Sequence, residues 1–448
     1  MSKLRTFRKG GVHPPEQKLS ADRPIERLQL PAKVYIPLQQ HIGAPPTAVV
    51  AKGDRVKVGQ LLAQSGGFVS ANIHSSVSGV VESLEPIADG TGYKRPTITI
   101  AVEGDEWLES IDRSTELNTN LDVAPDEIVK RIAEAGIVGL GGATFPMHVK
   151  LTIPTGKKAN VLIVNAVECE PYLTSDHRVM LEHGPEIMVG LQLLMKSIGV
   201  ERTVIGIENN KPDAIAHLSK LAQDYKGIEV QPLRVKYPQG GEKMLIKAIT
   251  GREVPSGGLP IEVGAVVVNV GSVLAAYEAV QKRKPLFERV VTVTGKQLEK
   301  PSNFRVRIGT PISTLIEAAG GMPSDTGKVI SGGPMMGKAL ISTDVAVAKG
   351  TSGVVLMPSS EATKGEPQAC IRCARCVNAC PLGLEPYLFA RLSQRGRFAD
   401  MENERVMDCM ECGSCFYACP AKVSLLDYIK LGKNEVGAMI RSRNATKK

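Results

Sequence analysis

Between Asp122 and Lys284 the chain alternates apolar, largely β-branched runs with stretches whose apolar positions recur at helical spacing. Residues 161–166 (VLIVNA), 203–208 (TVIGIE), 228–235 (IEVQPLRV) and 265–270 (AVVVNV) predict strands. Residues 125–135, 211–225, 242–249 and 272–283 predict helices, with Pro125 suited to a first turn and Gly136 to a helix end. Strands and helices in alternation predict an α/β domain with a largely parallel sheet, over 122–288.

The flanks carry different patterns. Residues 48–64 (AVVAKGDRVKVGQLLAQ) and 75–86 (SSVSGVVESLEP) alternate short strands with glycine turns, and resemble the flattened barrel of biotinyl and lipoyl domains. Those carriers present a lysine between the two halves. The intervening GGFVSANIH has none, so 32–121 is expected to be a packing module rather than a swinging arm. After the α/β region, 358–367 (PSSEATKGEP) reads as a linker. Apolar residues at helical spacing return at 385–395 and 425–431.

A length of 448 residues implies about three or four domains. With 43% hydrophobic and 23% charged residues, the chain matches ordinary globular proteins. The longest apolar stretch, 264–277, is interrupted by Asn269 and is too short to span a bilayer; MSKLRTFRKGGVHPP lacks the apolar core of a secretory signal, so a cytoplasmic location is expected. The net charge of +9 is spread out, densest in the tail RSRNATKK. That tail (433–448) is expected to be solvated and poorly ordered, with docking to a membrane or acidic partner the other reading. Without aromatic interleaving of the basic residues, no nucleic-acid groove is indicated.

The cysteines narrow the chemistry most. Eight of nine fall between Cys370 and Cys419, a distribution that belongs to metal ligation rather than disulfides. CIRCARCVNACP places Cys370, Cys373, Cys376 and Cys380; CMECGSCFYACP places Cys409, Cys412, Cys415 and Cys419. Both have the bacterial ferredoxin spacing for [4Fe–4S] clusters, in which the fourth cysteine ligates the other cluster. Three thiolates on one tight loop each reach a different iron of one cubane face, and the fourth iron takes its ligand from elsewhere. Cys370, Cys373, Cys376 and Cys419 are thus expected to hold one cluster, and Cys409, Cys412, Cys415 and Cys380 the other, within a ferredoxin-like unit over 368–432. Paired zinc sites would lack the triple spacing and trailing proline.

Three glycine-bearing turns mark the α/β region: GLGGATFP with Gly139, Gly141 and Gly142, followed by Lys150; YPQGGEK with Gly240 and Gly241; and NVGS with Asn269 and Ser272. Backbone amides at such turns suit phosphate, though each alone is also an ordinary loop. None fits G-x-G-x-x-G after a strand. The segment NAVECEP places Asn165, Glu168 and Glu170 at a strand end, where they accept bonds from a flavin ribityl chain or a nicotinamide ribose, or are solvated loop acids. Cys169 between them reads as a buried thiol.

In this order, GLGGATFP with Lys150, NAVECEP, YPQGGEK and NVGS resemble the flavin- and NADH-binding subunit of respiratory complex I. Together with FRKGGVHPPEQK in the 1–31 extension and the double cluster motif, the whole chain resembles the RnfC family, a peripheral subunit of the Rnf ferredoxin:NAD oxidoreductase. The resemblance implies FMN near Gly139, Gly141, Gly142, Lys150, Asn165, Glu168, Asn269 and Ser272. It implies NADH near Phe145, Glu170, Tyr237 and Glu242. Two positions depart from the complex I pattern: Val167 stands for an acid, and Gly241 for the first of two glutamates. The resemblance also implies a soluble-ligand-binding β-grasp domain over 289–357, whose GGPMMG holds Met335 and Met336, read as a packed loop rather than a soft metal site.

The implied protein is multidomain α/β and α+β, with four parts: a biotinyl/lipoyl-like barrel, an FMN/NADH-binding α/β domain, a β-grasp domain and a helical two-cluster domain. The implied function is hydride exchange between NAD(H) and FMN, with single electrons passing through the clusters. Implied partners are the membrane subunits of the Rnf complex, which translocate the ion, and a ferredoxin-like cluster subunit; the implied place is the cytoplasmic face of the inner membrane. No general acid or base is named. A cobalamin reductase of the microcompartment type, and a cluster-relay scaffold without catalysis, are the alternatives.

Overall fold

The computed structural model describes residues 4–445. Its centre is a four-stranded parallel sheet in the order Ile228–Leu233, Thr203–Glu208, Val161–Asn165, Ala265–Asn269. Three of these strands are buried almost throughout, as continuous apolar strands covered on both faces should be. The helices Pro125–Glu134, Gly184–Ile198, Pro212–Ala222 and Val270–Gln281 share one large core; Glu242–Thr250 packs a smaller core on the opposite face. After Val161–Asn165 the chain runs outward through two strands, then returns to lay Ala265–Asn269 on the other side. Ligand-binding crevices form at such switch points, outside the carboxyl ends of the strands. Here those ends are Asn165 and Asn269, which are register partners.

The expected helices and strands of this domain all form. The helices Ser175–Glu182 and Gly184–Ile198 were not read from the sequence. The second buries Ile187, Met188, Val189, Leu191, Leu193 and Leu194, which leaves little polar face to reveal a helical period. Gly190 allows its close approach to Val270–Gln281, since a Cβ there would lie 2.9 Å from the Val273 carbonyl.

Two β-rich units flank the sheet. The N-terminal one pairs Lys33–Pro37 with Lys94–Gly104, and that strand with Ser78–Ala88, around Val34, Ile36, Leu62, Ile98 and Ile100. The other is a six-stranded mixed sheet backed by Ile312–Ala318. Its edge strand, Ile25–Arg27, comes from the N-terminal extension and pairs parallel with Ser302–Arg307. At the other end of the chain the expectation of a poorly ordered tail is corrected. The helix Leu425–Ala445 runs through most of it, because Ile429, Gly432, Val436 and Gly437 keep one side buried against the cluster domain. The final three residues lie outside the described ones.

Lys349 ties the three larger units together. Only 1% exposed, it donates from Nζ to the carbonyls of Asn72 in the barrel (2.6 Å) and Gly136 in the α/β domain (2.7 Å). Its own carbonyl accepts from Arg289. Burial lowers the Lys349 ammonium to about 7. Removing it strands two buried carbonyls and opens a cavity, so Lys349→Ala should lose roughly 2–5 kcal/mol. Calorimetry of the cofactor-loaded chain should show a fall of several degrees in Tm; an unchanged Tm would contradict this role.

Candidate functional site

The glycine turn after Pro125–Glu134 is held from behind. Gly139 donates to the Phe145 carbonyl, and Leu140 to Ser272 Oγ (2.8 Å), which itself donates to the Val138 carbonyl. Gly142 adopts φ +121°, and a Cβ there would meet nothing within 4 Å, so the turn offers an open backbone face to solvent. Gly141 lies beside the Asn269 side chain, where an added Cβ would come within 3.3 Å of Nδ2. Asn269 caps Val270–Gln281, accepting from the Gly271 and Ser272 amides, while Nδ2 donates to Asp176 (2.7 Å).

These groups line one cleft of about 1160 Å³, which brings together every cofactor-binding residue expected from the sequence except Ser272. Ser272 is buried behind the glycine turn and positions it without facing the cleft. Asn165 reaches across to the Gly240 carbonyl (2.8 Å). Lys150 pairs with Glu242 at 2.6 Å and donates to the Val267 carbonyl. The barrel and the mixed sheet supply the cleft's other walls, among them Tyr35, Phe68, Arg95 and Lys338. The barrel therefore does more than pack.

The two acids of NAVECEP are held by protein. Glu168, at φ +49°, accepts from the amides of Asp176 (2.7 Å) and His177 (3.2 Å) at the start of Ser175–Glu182. Glu170 accepts from the amides of Met335 (3.0 Å) and Met336 (2.8 Å), which explains GGPMMG as a loop docked through its backbone. Burial outweighs those bonds and raises the Glu170 carboxyl to about 7. Asp176, which the sequence reading passed over, also lines the cleft; burial and then the Glu168 charge push its carboxyl up. Lys18, from the N-terminal extension, donates to the carbonyls of Glu168, Glu170 and Leu173, and burial lowers it to about 8. Cys169 is half-buried and accepts from the Gly240 amide, with burial raising its thiol. Val167 stands where an acid was the pattern because its side chain turns into the core beneath the sheet.

The two cysteine loops are built alike. Arg372 and Ala374 in one, Glu411 and Gly413 in the other, adopt positive φ around the middle cysteine. Short helices, Arg375–Ala379 and Ser414–Ala418, then lead to Cys380 and Cys419 in the same extended conformation. Cys380, Cys409, Cys412 and Cys415 surround one small cavity, the crossed set that the spacing implies. Cys376 faces Cys419 closely enough for their charges to interact, while Cys370 and Cys373 are exposed. All are free thiols. Among the described residues no three such ligands converge on a single point as one ion would require. A cubane does not ask for that, because each of its thiolates meets a separate iron, so the residues fit [4Fe–4S] clusters. The open glycine turn likewise fits the phosphate of a flavin mononucleotide.

Cleft and cluster loop share a wall. Tyr237, 2% exposed, donates from its hydroxyl to the Cys412 carbonyl (2.7 Å), and Met410 lines both the cleft and the cysteine cavity. A Cβ on Gly241 would lie 2.3 Å from Met410 Cε. At this second departure a side chain would have to push the Met410 methyl out of the wall shared with the cluster loop. The N-terminal extension closes the junction, with Gly11 donating to the Ala379 carbonyl and Val12 bridging Tyr237. Gly10, at φ +66°, leaves no room for a Cβ, which would sit 2.4 Å from the Cys380 carbonyl oxygen.

Family comparisons agree with this division. The model described as the RnfC barrel sandwich hybrid domain matches residues 6–105, and the Nuo51 FMN-binding domain matches 132–278. The SLBB domain matches 290–339 and the 4Fe-4S dicluster domain 363–420. The corresponding subunit of the proton-translocating ferredoxin:NAD(+) oxidoreductase complex of Clostridium ljungdahlii is 47% identical, over 96% of this chain and 94% of its own length. The chain belongs to the RnfC family. Another member, from the Na(+)-translocating ferredoxin:NAD(+) oxidoreductase complex of Acetobacterium woodii, is 46% identical over 97% of this chain and 98% of its own. The RnfC-family member from the ion-translocating oxidoreductase complex of Rhodobacter capsulatus is 40% identical over 88% and 76%.

The crossed arrangement predicts which cluster a given variant damages. Cys380→Ser and Gly10→Ala should both perturb the cluster of the second cysteine run, the first by losing a ligand and the second by displacing it. Electron paramagnetic resonance of reduced protein should show one altered and one normal cluster in each variant. Damage confined to the cluster of the first run would refute crossed ligation.

Proposed function

We propose that this chain is the electron-transfer subunit of an Rnf-type complex that exchanges hydride between NAD(H) and FMN in the cleft and passes single electrons through two [4Fe–4S] clusters. The observation that carries this is the wall shared by cleft and cluster loop at Tyr237 and Met410. FMN supplies electron exchange in pairs with a nicotinamide and singly with a cluster.

The chain's residues hold and separate the reactants. Gly139, Gly141 and Gly142 present backbone to the phosphate, with Ser272 and Asn269 keeping the turn open. Lys150 and Glu242, paired in this structure, stand where they orient the flavin and the nicotinamide. Glu170, at the junction of the α/β domain with the mixed sheet, and Phe145 form the wall against the nicotinamide. With the cofactors bound, the two electrons given up as NADH becomes NAD⁺ would leave one at a time, and the hydride's proton would pass to solvent; the carriers would be a cluster held by Cys380, Cys409, Cys412 and Cys415 and then one held by Cys370, Cys373, Cys376 and Cys419. The exposed Cys370 and Cys373 make the latter the outlet toward a partner.

No helix among the described residues is long and apolar enough to cross a membrane. Membrane attachment and ion translocation are assigned to the other subunits of the complex, with the chain on the cytoplasmic face. The RnfC barrel at the N-terminus favours this reading over a cobalamin reductase.

Anaerobic reconstitution with FMN, iron and sulfide followed by NADH titration tests it. Flavin absorbance should bleach and reduced-cluster resonances should appear together; a chain that takes up clusters but no flavin would sink the proposal.

A further inference from the structure

The loop at 65–72 stands where carrier barrels display their lysine, and packing does not account for what it displays here. Phe68 at its tip is 62% exposed, and Ile42 on the adjoining turn is 53% exposed. The turns are bound together: Ala44 donates to the Val69 carbonyl (2.9 Å), and Gly43 leaves no room for a side chain against that same carbonyl. Two exposed apolar side chains thus stand on turns that are joined through their backbones. Both line the cleft.

Their place in the cleft is set by the helix Met147–Leu151, which follows the glycine turn. His148 on that helix bonds the Phe68 carbonyl (2.9 Å), and its ring stands nearly perpendicular to the Phe68 ring, with centroids 5.9 Å apart. Val149 and Ile153, also lining the cleft, add apolar surface on the α/β side. The cleft's 1160 Å³ exceeds the roughly 300–1,000 Å³ that one drug-sized ligand occupies, so there is room beyond a mononucleotide. An exposed aromatic ring in a cleft also lined by aliphatic side chains is the chemistry that holds a flat heteroaromatic base by stacking.

We propose that Phe68, with Ile42, forms a purine subsite at the cleft mouth that takes the adenine of NAD(H). The barrel is then part of the dinucleotide site, and the base is stacked by a domain other than the one that carries the glycine turn. This rests on the proposed use of the cleft for NAD(H) and deepens it by assigning the adenosine half.

The probe is ADP-ribose, which has the adenosine and pyrophosphate but no nicotinamide, titrated calorimetrically into the FMN- and cluster-loaded chain. Wild type should bind it in competition with NADH. Phe68→Ala should weaken ADP-ribose about tenfold and raise KM for NADH in proportion, with flavin content unchanged and oxidation of reduced nicotinamide mononucleotide, which has no adenine, unaffected. Phe68→Trp should retain binding. Equal binding of ADP-ribose by wild type and Phe68→Ala would overturn the subsite while leaving the cleft's assignment intact. Absence of ADP-ribose and NADH binding in wild type would overturn both.

Discussion

The arrangement depends on one close approach, where the cysteine loop 409–415 closes against the floor of the cleft. Electron transfer between a cofactor in the cleft and a cluster requires that little protein stand between them, and what stands there is Tyr237, Met410 and the unsubstituted Gly241. Several features distant in sequence serve this contact. The N-terminal extension fills the junction with Gly10, Gly11 and Val12, then sends Lys18 beneath NAVECEP to bind three carbonyls. From the other side, the mixed sheet reaches Glu170 through Met335 and Met336. The cleft thus takes parts from four regions of the chain, and Lys349 holds the barrel and the mixed sheet in place around it.

The electrostatics follow from that enclosure. Glu170 and Asp176 face the cleft from protein-lined positions where burial disfavours their charge, and each is satisfied by local donors, two amides for one and Asn269 for the other. Lys18 offsets the acids from below but gives its hydrogen bonds to carbonyls rather than to carboxylates. Burial thus disfavours the charge on both carboxyls, which lowers the repulsion that a negatively charged cofactor would meet on entry.

Much of this was legible because local chemistry dictates it. Cysteine spacing implied two cubanes with crossed fourth ligands, since geometry allows one tight loop only three irons. Uniformly apolar strands marked a parallel sheet, and the glycine turns marked its ligand-binding end. What escaped the sequence reading depended on contacts across long separations. Ser272 carries the right motif but faces backward, which nothing in NVGS reveals. Asp176 sits in the short helix Ser175–Glu182, whose apolar residues Val179, Met180 and Leu181 are consecutive, so no helical period announced it. Gly241 and Val167 read as defects against a flavin pattern until the structure set one beneath Met410 and the other in the core. The tail read as solvated because its charges are dense, yet small and apolar residues at helical spacing bury one side of it.

The central claim is that electrons enter the cluster domain beside Tyr237 and leave at the exposed loop. Rapid-freeze electron paramagnetic resonance after mixing the loaded chain with NADH, using cysteine variants to assign each cluster's resonance, tests it most directly. The account predicts that the cluster of Cys380, Cys409, Cys412 and Cys415 gains its signal first, with that of Cys370, Cys373, Cys376 and Cys419 following. First appearance of the outer cluster's signal, with the inner one lagging or silent, would contradict it.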